Sequence, residues 1–164
     1  MLLKIYITLF LMTFCNLSAE IVQKLSVKGN DRISEETIKV YGEINFGQDY
    51  SVFEVNEILK NLYKTDFFED VKISLSNGIL DIVVKEYPII NSIDLQGEKS
   101  SAVKKKVLER LQLKEKESFI DNKLSSDIAL MKKIYGSIGF NFTNVDAKIE
   151  KFDNNRINLI YVLD

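Results

Sequence analysis

Ile21-Val22-Gln23-Lys24-Leu25-Ser26-Val27-Lys28-Gly29 returns in outline 68 residues later as Ile89-Ile90-Asn91-Ser92-Ile93-Asp94-Leu95-Gln96-Gly97. Both stretches alternate apolar and polar residues towards their carboxyl ends and stop at a glycine, the pattern of a half-buried strand entering a turn. Self-similarity at a fixed period marks a repeated structural unit. Each stretch is therefore expected to open one copy of a small module.

Working outward, Ser34 is placed to cap a helix whose residues Ile38, Tyr41 and Ile44 face inward. In the second copy Val103, Val107, Leu108 and Leu111 repeat that face on a helix carrying Lys104, Lys105, Lys106 and Arg110, a basic run read as solvated. A second helix follows in each copy. Val55, Ile58, Leu59, Leu62 and Tyr63 keep the spacing of one buried stripe, with Ser51 and Glu54 as its capping box. Its counterpart uses Leu124, Ile128, Met131 and Tyr135, widened by Ile134, with Ser118 or Asp121 as its cap. Tyr50 aligns with Phe119 before this helix and Phe67 with Phe140 after it, so the second copy is longer by about one helical turn, which preserves the buried face.

Two strands close each copy. Val71-Lys72-Ile73-Ser74-Leu75 alternates strictly, Asn77-Gly78 is a two-residue hairpin signal, and residues 79–84 are almost continuously apolar. The second copy has residues 145–149, a turn at Asp153-Asn154-Asn155, and residues 157–162. Alternation suits an edge strand with one wet face, and the apolar run suits a central one. The expected fold is α+β: two tandem β-α-α-β-β modules, residues 20–88 and 89–164, each with a three-stranded mixed sheet covered on one face by two helices. Pro88, the single proline, with Tyr87 and Ile89 beside it, forms a short, stiff interdomain hinge.

The amino terminus carries a different signal. Met1 and Lys4 precede a mostly apolar run over residues 5–15, and Asn16-Leu17-Ser18-Ala19 offers a small-residue cleavage site, so residues 1–19 read as a cleaved signal peptide. The run is short for a bilayer, which needs roughly 20 residues; an uncleaved anchor is the alternative. Cys15, the only cysteine, lies in this segment behind Phe14 rather than a small residue, which argues against lipidation and leaves the mature chain without thiols.

The chain's 164 residues are 46% hydrophobic and 28% charged, an ordinary globular composition. Its 22 basic and 24 acidic residues give a charge of −2, so no long-range field draws it to nucleic acid. Without histidine, mature cysteine or a glycine-rich phosphate loop, no catalytic, cofactor-binding or metal site is expected. Glu35-Glu36, Glu69-Asp70 and Asp153 fall at helix starts and turns, where carboxylates serve local roles.

Together these features resemble tandem POTRA (polypeptide-transport-associated) domains of outer-membrane β-barrel assembly proteins. The resemblance rests on residues 21–32 with the Val27-Lys28-Gly29-Asn30-Asp31-Arg32 turn, on Phe67-Phe68-Glu69-Asp70-Val71, and on Val84-Lys85-Glu86-Tyr87-Pro88-Ile89-Ile90. The second copy contributes Tyr135, Gly139-Phe140 and residues 155–163. It implies a periplasmic array that receives unfolded outer-membrane protein clients, docks accessory assembly lipoproteins and precedes a carboxyl-terminal membrane barrel; this chain would be an amino-terminal fragment lacking that barrel. Alternatives are the POTRA region of a two-partner secretion or translocation-and-assembly transporter, or a division or secretion scaffold with an uncleaved anchor.

An exposed sheet edge is a template for another chain. The expected polypeptide-binding edges are Val71, Lys72, Ile73, Ser74 and Leu75, and Val145, Asp146, Ala147, Lys148 and Ile149, although Lys72 and Lys148 are also the kind of charge that discourages pairing. The signal-peptide reading predicts that amino-terminal sequencing of the exported product starts near Glu20; a product retaining Met1 in the membrane fraction contradicts it.

Overall fold

A computed structural model describes residues 19–140 and 143–164. The signal segment expected over residues 1–19 lies, apart from Ala19, outside the described residues. Among the described residues no helix is long and apolar enough to cross a membrane.

The chain divides into two compact units, one reaching to Thr65 and including Asp70–Val84, the other formed by Asp66–Glu69 and Lys85–Asp164. The first contains β1 (Glu20–Ile21), β2 (Lys24–Lys28), α1 (Glu35–Tyr41), β3 (Asp49–Tyr50) and α2 (Val52–Tyr63). Strands β4 (Phe68–Ser76) and β5 (Ile79–Glu86) follow, their outermost ends grouping with the second unit. The second continues with β6 (Ile89–Gln96), α3 (Ser101–Arg110), α4 (Asp121–Ser137), β7 (Val145–Phe152) and β8 (Arg156–Leu163).

The two sheets have the same topology, in the orders β2-β5-β4 and β6-β8-β7. The first strand of each is parallel to the last, Lys24 facing Ile79 and Ile93 facing Leu159. The apolar strands β5 and β8 are central and the alternating strands β4 and β7 lie at edges, as their patterns require. Asn77 and Gly78 both have positive φ, 53° and 73°, the backbone of a tight hairpin turn.

The glycines ending the two first strands explain why they recur. Gly29 has φ +80° and a Cβ there would stand 2.1 Å from the Val84 carbonyl oxygen; Gly97 has φ +92° and its Cβ would stand 2.5 Å from the Leu163 carbonyl oxygen. The turn into the first helix thus presses against the end of the central strand in each copy, a contact that excludes a side chain.

Among the described helices the caps expected at Ser34 and Ser51 form, and Ser100 caps a third. Ser34 accepts from the Thr37 amide, Ser51 and Glu54 close a reciprocal capping box, and Ser100 accepts from the Val103 amide. The Ser51 hydroxyl and amide hold the Glu54 carboxyl below the usual carboxylate range. This lowered value makes the box favourable at neutral pH and lost as pH falls through it. Neither expected cap serves α4: Ile120 holds the cap position without a side-chain bond, Asp121 lies inside the first turn, and Ser118 is buried in a bridge to Ile89.

Two further expectations need correction. The first strand is interrupted, because residues 20 and 21 leave the main sheet to pair antiparallel with β3. Tyr41 is 49% exposed whereas Ile38 and Ile44 are buried. Helix α1 ends at Tyr41, and Ile44 folds back against side-chain-less Gly42, where a Cβ would lie 3.1 Å from the Ile44 side chain, so Ile44 takes the core position instead.

The second unit's core holds one group that periodicity does not reveal. Asp127 is fully buried on α4, one turn before the equally buried Met131. Its carboxylate accepts from the Gln112 amide at 2.7 Å, the Leu113 amide at 2.9 Å and the Tyr161 hydroxyl at 3.2 Å. Burial, then the Asp127 charge and hydrogen bond, push the Tyr161 hydroxyl well above the ordinary tyrosine range, keeping it a donor. Asp127 thereby fixes the start of the segment joining α3 to α4.

Asp127→Ala is expected to remove about 3 kcal/mol of stability, since it strands the buried Leu113 amide, the part-buried Gln112 amide and the Tyr161 hydroxyl, and Tyr161→Phe about 1 kcal/mol; urea denaturation measures both. Gly97→Ala should cost about 2 kcal/mol or more through forced φ and overlap with Leu163. A variant as stable as the parent would contradict the close approach.

Candidate strand-addition edge

Sheet edges differ in how much of their backbone is already used. In the second unit the interhelical segment returns along the outer side of β6. The Ile90 amide donates to the Glu117 carbonyl at 2.9 Å, the Lys116 amide to the Ile90 carbonyl at 2.7 Å, and the Phe119 amide to the Pro88 carbonyl at 2.8 Å. Further along, the Ile93 amide donates to the Glu115 carboxylate at 3.0 Å. The first unit repeats the device: the Val22 amide donates to the Gln48 carbonyl, the Gly47 amide to the Val22 carbonyl, and β1 pairs with β3. In both copies the chain's own loop occupies the start of the first strand's edge.

The opposite edges, β4 and β7, contain both segments expected to bind polypeptide. Asn144 and Asp164 exchange two backbone hydrogen bonds, at 2.9 and 3.1 Å, which fixes the phase of the β7–β8 ladder. Because such pairs alternate along an antiparallel ladder, Asp146, Lys148, Glu150 and Phe152 bond to β8. Val145, Ala147, Ile149 and Lys151 therefore turn their amides and carbonyls outward. The expected five-residue edge thus contains only three outward residues, Val145, Ala147 and Ile149, and the usable edge extends to Lys151.

Side chains give β7 two distinct sides. Val145 is buried and Ala147 half-buried towards the helices, and Ile149 is 39% exposed there. Asp146, Lys148 and Glu150 are exposed on the opposite sheet face, where their charges alternate. On β4, Val71 is buried and Ile73 and Leu75 are half-buried, with Lys72 and Ser74 exposed. Lys72 stands 3.4 Å from Asp70, and both are largely solvated, so this pair adds little.

The β4 edge carries a contact absent from the sequence reading. The Val71 amide donates to the Tyr63 hydroxyl at 3.1 Å, with Asp70 within 3.5 Å of the same oxygen. The helical spacing places Tyr63 on the buried stripe of α2, but the residue is 41% exposed and spans from the helix end to the strand edge. Tyr135, the matching residue of the second copy, bonds to Glu98 at 2.9 Å instead. Burial and Glu98 together raise the Tyr135 hydroxyl above its ordinary range.

The remaining sequence candidates fall elsewhere. The residues expected as a hinge are held within the second unit, where the Tyr87 amide donates to the Phe67 carbonyl and the Ile89 amide to the Asn155 carbonyl, both at 2.9 Å, and the Pro88 carbonyl accepts from Phe119. Glu35 and Glu36 lie in the first turn of α1, and Glu69 pairs with Lys85 at 2.7 Å. Among the described residues no three acidic, histidine or cysteine side chains gather where a metal could bind. A groove of about 500 Å3 between α3 and β6 has Ile93, Leu108 and Leu113 in its lining, but Glu115 already uses the Ile93 amide there.

Residues 88–164, which hold the mixed sheet β6-β8-β7 with its first strand parallel to its last, match the family model described as POTRA, surface antigen variable number repeat. The fold is also that of the amino-terminal domain of Omp85 from Thermosynechococcus elongatus, with a TM-score of 0.54 at 16% identity over 87% of this chain and 62% of that one. Over residues 88–164 the chain carries the POTRA domain, and over most of its length it is similar to the outer membrane protein assembly factor BamA. It is 30% identical over 146 residues to BamA of Neisseria meningitidis serogroup B, covering 87% of this chain and 18% of that protein. With BamA of Neorickettsia risticii it shares 26% identity over 152 residues, 92% of this chain and 20% of the relative. The chain thus spans about a fifth of the length of the curated relatives it matches.

The ladder phase makes a direct prediction. In hydrogen-exchange NMR the amides of Val145, Ala147, Ile149 and Lys151 should exchange faster than those of Asp146, Lys148 and Glu150, by about tenfold or more. The reverse pattern would invert the outward set.

Proposed function

We propose that this chain is the polypeptide-binding part of outer-membrane protein assembly machinery, working in the periplasm after export. It receives unfolded β-barrel precursors as extended strands and docks accessory subunits. The observation that carries the reading is the backbone left open along β7, beside a first strand whose edge is partly closed by its own loop. Backbone pairing is indifferent to most side chains, which suits a receptor for clients of many sequences. The relation to assembly factors supports the same role. We propose a binding role without catalysis.

The test is binding of a fluorescent peptide taken from a barrel strand, with apolar and polar residues alternating over about 10 positions. The expected result is saturable binding that an unlabelled alternating peptide displaces and a helix-forming peptide of equal composition does not. Equal competition by both, or no binding at millimolar peptide, contradicts the proposal.

A further inference from the structure

The two open edges share a topology but not an occupancy. On β4, residues of one phase turn their backbone outward, and Val71 belongs to that phase because its amide reaches the Tyr63 hydroxyl on α2 rather than β5. Ile73 and Leu75 follow by alternation. An incoming strand that paired along the whole of β4 would have to displace Tyr63 from Val71. On β7 the corresponding tyrosine is committed to Glu98, and among the described residues Val145, Ala147, Ile149 and Lys151 have no such substitute partner.

We propose that the edges are functionally unequal: an amphipathic extended polypeptide adds to β7 through the backbone of Val145, Ala147, Ile149 and Lys151 in preference to β4, where Tyr63 occupies Val71 and shortens the open edge to Ile73 and Leu75. This rests on the strand-addition reading above and specifies which edge performs it. The chemistry of the occupant follows from the two sides of β7. A neighbouring strand would place one set of side chains beside Ala147 and the half-open Ile149, and the alternate set beside the exposed charges of Asp146, Lys148 and Glu150. A segment that is apolar at every second position and polar between continues both faces. A uniformly apolar strand would set apolar side chains against three charges, and a uniformly polar one would leave Ile149 uncovered.

The edge is also suited to a clean substitution. The Ala147 amide points away from β8, so Ala147→Pro removes an outward donor without removing a bond of the β7–β8 ladder. Lys151→Pro does the same nearer the strand's end and serves where the first variant fails to fold. Tyr63→Phe removes only the hydroxyl that occupies Val71.

The test is a titration of the isotopically labelled chain with an alternating valine/threonine peptide of about 10 residues, read by amide NMR shifts and hydrogen exchange. Shifts and slowed exchange are expected at Val145, Ala147, Ile149 and Lys151, with Val71, Ile73 and Leu75 unchanged. Ala147→Pro or Lys151→Pro should weaken binding about tenfold, and Tyr63→Phe should bring the β4 amides into the response. If β4 responds as strongly as β7 in the parent chain, or if a folded proline variant binds like the parent, the inequality is overturned while strand addition stands. If the peptide contacts neither edge, the broader reading falls with it. A series in protein concentration without peptide completes the test: β7 shifts that grow with concentration would show a second copy as the occupant and overturn the proposed one.

Discussion

A sheet edge carries backbone donors and acceptors that its own sheet does not use, and this constraint organises the whole chain. Each three-stranded sheet has a fully paired central strand, β5 or β8, and two flanking strands that are paired on one side only. The first flank is partly satisfied within the protein. Residues between the two helices fold back along Val22 in one copy and Ile90 in the other, making the same pair of backbone bonds. The second flank is treated differently in the two copies, by a tyrosine hydroxyl on β4 and, among the described residues, by nothing comparable along β7.

Closing the first flank depends on features deep in the module. In the second unit the interhelical segment is anchored where Asp127 receives the Gln112 and Leu113 amides, a few residues before Glu115 and Glu117 reach β6. The apolar Ile58 holds the equivalent helix position in the first copy. One copy therefore fixes its loop with a buried carboxylate and the other fills the place with hydrocarbon. The fold accommodates both, because the same edge closure results.

Much of this architecture is legible in sequence, since it is written in period and punctuation. The doubled strand ending in Gly29 and Gly97, the Ser51–Glu54 box, the Asn77-Gly78 turn and the contrast between alternating and apolar strands each correspond to an observed element. What escaped is set by tertiary contact. Asp127 looks like a surface residue beside its helical neighbours, and only the approach of the Gln112–Leu113 backbone gives its carboxylate a reason to be inside. Tyr63 fits the helix stripe by spacing, but its hydroxyl is drawn to Val71, eight residues on. The candidate edges were found as strands, whereas which backbone groups face outward depends on ladder phase, which the Asn144–Asp164 pair fixes and no local pattern records.

The central claim is that a polypeptide becomes the fourth strand of the second sheet. Its most direct measurement is the set of cross-strand nuclear Overhauser contacts in a complex with a bound alternating peptide. Contacts from the peptide backbone to Val145, Ala147, Ile149 and Lys151, at the spacing of paired strands, are the predicted result. Contacts confined to the helices, or to β6 after displacement of residues 115–117, would contradict the account.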